Sequence, residues 1–145
     1  MELKLKLLSP KAVMPAYATA GSAGLDLTAC LDAPLTVAPG QRVKVPTGLA
    51  IALPSAGYVA LVFARSGLAT KHGLCLSNGV GVIDSDYRGE VVVGLVNLDS
   101  EAYTIEPGER VAQLAVLPVT QAALTPVDAL DDTARGAGGF GSTGK

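Results

Sequence analysis

Apolar and polar residues alternate with a period of two over much of this chain, and proline and glycine interrupt the runs at short intervals. Leu3, Leu5 and Leu7 fall on one side of an extended segment while Lys4 and Lys6 take the other, the pattern of a half-buried strand. Residues 35–53 (LTVAPGQRVKVPTGLAIAL) and 103–119 (YTIEPGERVAQLAVLPV) each read as strand, Pro-Gly turn, strand. YVALVFA at 58–64 and VVVGLV at 91–96 are short, apolar and rich in β-branched residues, which predicts fully buried strands. Only Ser66–Lys71 offers a helix, and a short one. Short strands separated by turn residues predict an all-β sandwich or barrel.

The rest of the composition agrees with one such domain. A chain of 145 residues is near one domain's length and can bury a core without disulfide staples. Aromatics are only 4% of it and tryptophan is absent, so Ala, Val, Leu and Ile must fill that core. A net charge of −2 argues against a protein that coats nucleic acid, which needs a basic face. It leaves room for a small anionic ligand held by a few local arginines. Cys30 and Cys75 are too few for a disulfide framework and read as reduced, buried residues of a cytoplasmic protein. The opening MELKLKLLSP alternates where a secretory leader would be continuously apolar, and no apolar run reaches the length of a membrane span.

Two segments resemble each other. Thr36, Pro39, Gly40, Arg42 and Val43 recur as Thr104, Pro107, Gly108, Arg110 and Val111, all at an offset of 68. We read this as convergence, because the chemistry of Pro-Gly turns is limited. After Val119 the chain becomes poor in apolar residues and ends in a Gly-rich tract, which predicts a terminus without a packed element. That tract nevertheless carries Arg135 and a lone aromatic, Phe140.

The densest polar cluster is GVGVIDSDYRGE at 79–90. Its glycines (Gly79, Gly81 and Gly89) permit tight turns and close approach of backbone to a ligand. Asp84 and Asp86 share one face if the segment is extended. ARSGLATKHGL at 64–74 sets an arginine, a hydroxyl and a glycine at a strand-to-helix turn, a combination suited to anions. The one histidine, His72, has no metal ligands at a useful spacing and reads as structural. Asp26 lies between Leu25 and Leu27, a costly place for a charge without a partner. GERVAQL at 108–114 adds Arg110 and Gln113, and RGAGGFGSTG at 135–144 adds an arginine, glycines and hydroxyls able to wrap phosphate.

In order, AGLDLTA, RSGLA, NGVGVIDSDYRGE, GERVAQL and RGAGGFGSTG resemble the five motifs of the trimeric dUTP pyrophosphatases, across residues 23–144. Ala64 stands where many members carry proline, and Gly79 occupies a variable position. The resemblance implies a distorted jelly-roll-like β-barrel over residues 1–134 and a mobile C-terminal lid over 135–145. It also implies a homotrimer with interfacial active sites, and hydrolysis of dUTP to dUMP and pyrophosphate with Mg²⁺. Asp84 matches the general base that activates water for attack on the α-phosphorus. Asp26 matches a carboxylate that holds the metal through its water shell, as suits an ion that keeps several waters.

Arg65, Ser66 and Gly67 match the phosphate-binding turn, and Gln113 matches a residue ordering the phosphates and water. Arg110 fits either a phosphate ligand or an intersubunit ion pair. Asn78, with the backbone of Gly81, Val82 and Ile83, matches the hairpin that reads uracil, and Val92 adds a backbone contact. Tyr87 matches the ring that excludes a 2′-hydroxyl. Phe140 would stack on uracil while Arg135, Gly141 and Ser142 close over the phosphates. A dCTP deaminase on a related fold and a non-enzymatic nucleotide sensor are the alternative readings. Neither nucleic acid nor membrane is an expected partner.

Overall fold

A computed structural model describes residues 1–139. The strands are β1 (Lys4–Leu7), β2 (Leu25–Thr28), β3 (Leu35–Val37), β4 (Arg42–Ala52), β5 (Tyr58–Ala64), β6 (Leu74–Leu76), β7 (Gly81–Ile83), β8 (Glu90–Asn97), β9 (Tyr103–Ile105) and β10 (Arg110–Pro118). One helix, α1 (Ser66–His72), interrupts them. Two four-stranded antiparallel sheets, ordered β1-β4-β8-β6 and β2-β10-β5-β7, pack face to face, and β3-β9 forms a small third sheet. This is the all-β arrangement that the alternation predicts, jelly-roll-like as the resemblance implies.

The core lies between the two sheets. Leu49, Val91, Val93, Leu95 and Leu74 enter it from the first sheet, and Leu27, Ala60, Val62, Val111 and Leu114 from the second. Each large aliphatic residue sealed there contributes roughly 2 kcal/mol by leaving water. Asn97 is fully buried and fully partnered: its Nδ2 donates to the carbonyls of Val37 and Glu101, and its Oδ1 accepts from the Asp99 N–H. It ties the small sheet to the end of β8.

The two similar segments meet in space. Thr36 pairs with Thr104 across β3-β9, their hydroxyls 2.9 Å apart. Beyond them the Gln41 and Glu109 side chains accept from the N–H groups of Ala38 and Glu106, so both Pro-Gly turns close alike. Gly40 and Gly108 sit in the left-handed region, with φ of 73° and 79°.

The apolar runs are less covered than expected. On β8, Val91, Val93 and Leu95 point inward, but Val92 is 44% exposed. On β5 only Ala60 and Val62 are buried. A run that is apolar on both faces has its second face half open in a single chain. Cys30 and Cys75 are both free, as expected, but half-buried. Among the described residues no helix is long and apolar enough to cross a membrane. Beyond Pro118, residues 119–139 form neither strand nor helix.

Candidate active site

β7, β8 and the turn between them, which carries the chain from one sheet to the other, frame a groove of about 240 Å³. Asn78, Gly81, Val82, Ile83, Asp84, Tyr87 and Val92, which the sequence nominates for one nucleoside site, all line it. Val62, Leu76, Val91 and Val93 supply apolar lining. A Cβ on Gly81 would stand 3.0 Å from Val62 Cβ, tight enough that Val62 would have to give by a few tenths of an ångström. Gly79 takes a φ of 75° to turn the chain into β7.

Between the strands, residues 84–89 are a turn, so Asp84 and Asp86 do not share a strand face. The exposed Asp84 lines the groove and Asp86 does not. The Tyr87 hydroxyl donates to the Glu90 carbonyl at 2.8 Å, which fixes the ring across the turn. Gly89 lies against that ring: a Cβ would be 2.5 Å from its hydroxyl oxygen. The close approach that the sequence suggested for Gly89 is therefore to the chain's own tyrosine. Glu90 also lines the groove, and its carboxylate accepts from the Gly48 N–H at 2.7 Å. Glu90 closes the polar cluster at 79–90 without suggesting a role there, and Gly94, another lining residue, lies in the run read as fully buried.

A second group forms where β2, β10 and the start of α1 meet. Asp26 on β2 sits opposite Gln113 on β10. The Asp26 carboxylate, buried in part, bridges two guanidiniums: Arg65 Nε lies 3.4 Å from Oδ1, and Arg110 Nη1 lies 3.0 Å from Oδ2. Arg65 Nη1 also donates to the Arg110 carbonyl at 2.9 Å. These are the partners that a charge between two leucines requires. Arg110 is thus in an ion pair within its own chain. Gln113 Nε2 donates to the Ala64 carbonyl at 3.0 Å. Ser66 and Gly67 open α1 exposed, and no side chain caps its first turn.

His72 ends that helix with its ring centroid 5.0 Å from that of Tyr103. Tyr103 in turn donates its hydroxyl to Glu109, and burial, followed by that hydrogen bond, pushes its pKa up to about 12. The histidine is exposed and its ring rests near that of Tyr103.

None of Asp26, Arg65, Ser66, Gly67 or Gln113 lines the groove. The structure gathers the candidates into a nucleoside-sized groove and a separate polar cluster. Arg135 joins neither: it closes a local turn, its Nε donating to the Gly138 carbonyl at 2.7 Å. Phe140, Gly141 and Ser142 lie outside the described residues.

Comparison with known proteins bears on both groups. A dUTPase family profile matches residues 10–144. A deoxyuridine 5′-triphosphate nucleotidohydrolase of Paraburkholderia phymatum is 56% identical over the whole chain and 99% of its own length. One from Desulfitobacterium hafniense is 60% identical over 90% of this chain and 87% of its own. Among solved structures, a mutant dUTPase of Staphylococcus bacteriophage 80alpha with dUpNHpp superposes with a TM-score of 0.90. It is 28% identical, and 99% of each chain is covered.

Proposed function

The chain belongs to the dUTPase family and is a dUTP diphosphatase, and we propose that it cleaves dUTP through attack of an Asp84-activated water on the α-phosphorus, giving dUMP and pyrophosphate. The observation that carries this reading is the convergence of Asn78, Gly81–Ile83, Asp84, Tyr87 and Val92 on one groove. The backbone of β7 and Asn78 offer fixed donors and acceptors for a uracil edge, which explains how a floor of glycine and valine can be base-selective. The Tyr87 ring, held by Glu90, stands where it would exclude a 2′-hydroxyl. Asp84 has no ion-pair partner among the described residues and lies at the rim, free to accept a proton from water.

Arg65, Ser66 and Gly67, with Gln113, bind and orient the phosphates. A Mg²⁺ ion would be held chiefly by phosphate oxygens and its own waters. Among the described residues no three ligating side chains converge, and Asp26 already holds two arginines, so its contact to the ion would run through water. When bound, Mg²⁺ would neutralise charge on the pyrophosphate leaving group.

The phosphate residues do not line the groove of their own chain, which supports a homotrimer whose sites are completed across subunit interfaces. The half-open apolar face, with Val82 64% and Val92 44% exposed, gives such an interface material to bury. We assign residues 1–134 to the barrel and 135–145 to a lid that brings Arg135, Phe140, Gly141 and Ser142 over the nucleotide. In the cytoplasm the reaction would clear dUTP from DNA precursors and supply dUMP for thymidine nucleotides. Pyrophosphate release from the purified protein, compared for dUTP, dCTP and UTP, tests the assignment. Release confined to dUTP supports it, whereas ammonia from dCTP would favour the deaminase reading and binding without turnover the sensor.

A further inference from the structure

A second groove, of about 350 Å³, opens at β1 and β4 and is distinct from the nucleoside groove. Its charged lining is entirely cationic: Lys4, Lys6 and Arg88, with apolar residues making up the rest. Register explains the shape. Lys4 stands opposite Ala52 and Lys6 opposite Ala50, so two long ammonium arms flank a floor of methyl groups. Across the sheet Glu90 is paired in register with Ala50, and its carboxylate is engaged by the Gly48 N–H. All three cations are exposed, and none is in an ion pair among the described residues. Three unpaired cations gathered around one concavity are notable in a chain whose net charge is −2.

Arg88 also has donors to spare. Its Nη1 donates to the carbonyls of Ser85 and Tyr87, both at 2.8 Å, which leaves Nε and Nη2 for a ligand. Lysine binds phosphate as a mobile point charge and arginine as a planar fork, so the set suits several anionic oxygens on one small molecule. Lys4 and Lys6 are two strand residues apart, about 7 Å along the strand. That span fits two or three linked phosphoryl groups on one small molecule. We infer that this groove is a binding site for an oligophosphate anion, separate from the substrate groove and one residue along the chain from Tyr87.

The inference does not depend on the catalytic reading. Its test is calorimetric titration of the full-length protein with inorganic tripolyphosphate, at low salt and without Mg²⁺, while dUpNHpp saturates the substrate groove. The parent should bind one tripolyphosphate per chain, and raising salt from roughly 20 to 200 mM should weaken binding. Lys4→Gln/Lys6→Gln should bind roughly ten- to thirtyfold more weakly, as expected for losing two solvated charge contacts. Lys4→Arg/Lys6→Arg should restore binding. Lys44→Gln, an exposed lysine on β4 outside the groove, should leave it unchanged. Arg88→Gln gives an independent reading if the double variant folds poorly. Undetectable binding by the parent, or equal affinity in the parent, the double variant and Arg88→Gln, overturns the site. So does loss of binding in Arg65→Gln alone, which would place the anion in the polar cluster.

Discussion

Gly89→Ala offers a way to displace the Tyr87 ring without touching the tyrosine itself. The new Cβ would lie 2.5 Å from the Tyr87 hydroxyl oxygen and 2.7 Å from Cζ, well inside van der Waals contact. Gly89 is not among the glycines with positive φ, so its backbone accepts alanine. The collision falls on the outer end of a side chain that is 44% exposed, and the ring can yield where a core residue could not. In yielding it gives up the hydrogen bond to the Glu90 carbonyl, worth about 1 kcal/mol net. Forcing the ring back against the methyl group costs about 1 kcal/mol more in rotamer strain. Because the hydrogen bond is lost only in the displaced state, the strain alone bears on the seated one, and the seated population falls roughly fivefold relative to the parent. If the seated ring is what rejects a 2′-hydroxyl, the ratio of kcat/KM for dUTP over UTP should fall by up to that factor while Tm stays near the parent value. Tyr87→Ala should move the ratio the same way. A ratio unchanged in Gly89→Ala but lowered in Tyr87→Ala would refute the geometric argument, and a ratio unchanged in both would remove Tyr87 from sugar selection.

Asp84→Asn should lower kcat for dUTP by roughly 100- to 10,000-fold. Titration with dUpNHpp should show nearly unchanged affinity, since the base acts on water and not on the nucleotide. Gly48→Ala should be costly: φ is +69°, and its Cβ would lie 2.6 Å from Ala12 Cβ and 2.9 Å from Cys30 Sγ. A left-handed alanine and local overpacking together cost roughly 2–5 kcal/mol, visible as a Tm lower by roughly 5–15 °C. Tyr103 is neutral in the fold up to about pH 12 but titrates near 10 when exposed, so its contribution is complete below pH 10 and is lost as pH rises towards 12. Denaturant unfolding across that window should show a shallower decline for Tyr103→Phe than for the parent.

The fold was legible where one face of a strand meets the core. Lys4 and Lys6 against Leu3 and Leu5 carry their orientation in the alternation itself. The runs at 58–64 and 91–96 misled because period cannot distinguish a face buried by the same chain from one left for another surface. Asp26 shows the same boundary within the site. Its position between two leucines announced a need for partners, but Arg65 and Arg110 are remote in sequence and reach it only through the pairing of β2, β10 and β5. The role of Glu90 was invisible because its service to Gly48 depends on the register shift in β4 between Pro46 and Ala50. Motif order could nominate Phe140, Gly141 and Ser142, but these lie outside the described residues.

The separation of groove and polar cluster leads to a subunit-mixing experiment. A nucleotide whose base sits against β7 must present its phosphates to Arg65, Ser66 and Gln113, and none of these lines the same chain's groove. If a neighbouring subunit supplies them, Asp84→Asn and Arg65→Ala damage different chains of one composite site. Each variant alone should be nearly inactive. Unfolded, mixed in equal amounts and refolded, they should form trimers in which about a quarter of sites combine an intact groove with an intact cluster, following the combinatorics of a cyclic interface. dUTP turnover of the mixture should then rise to about a quarter of the parent's rate, far above either component. Light scattering on the same sample must show a trimer. A mixed trimer no more active than its components would place both residues in one chain's site, and the half-open faces of β5 and β8 would then need another explanation.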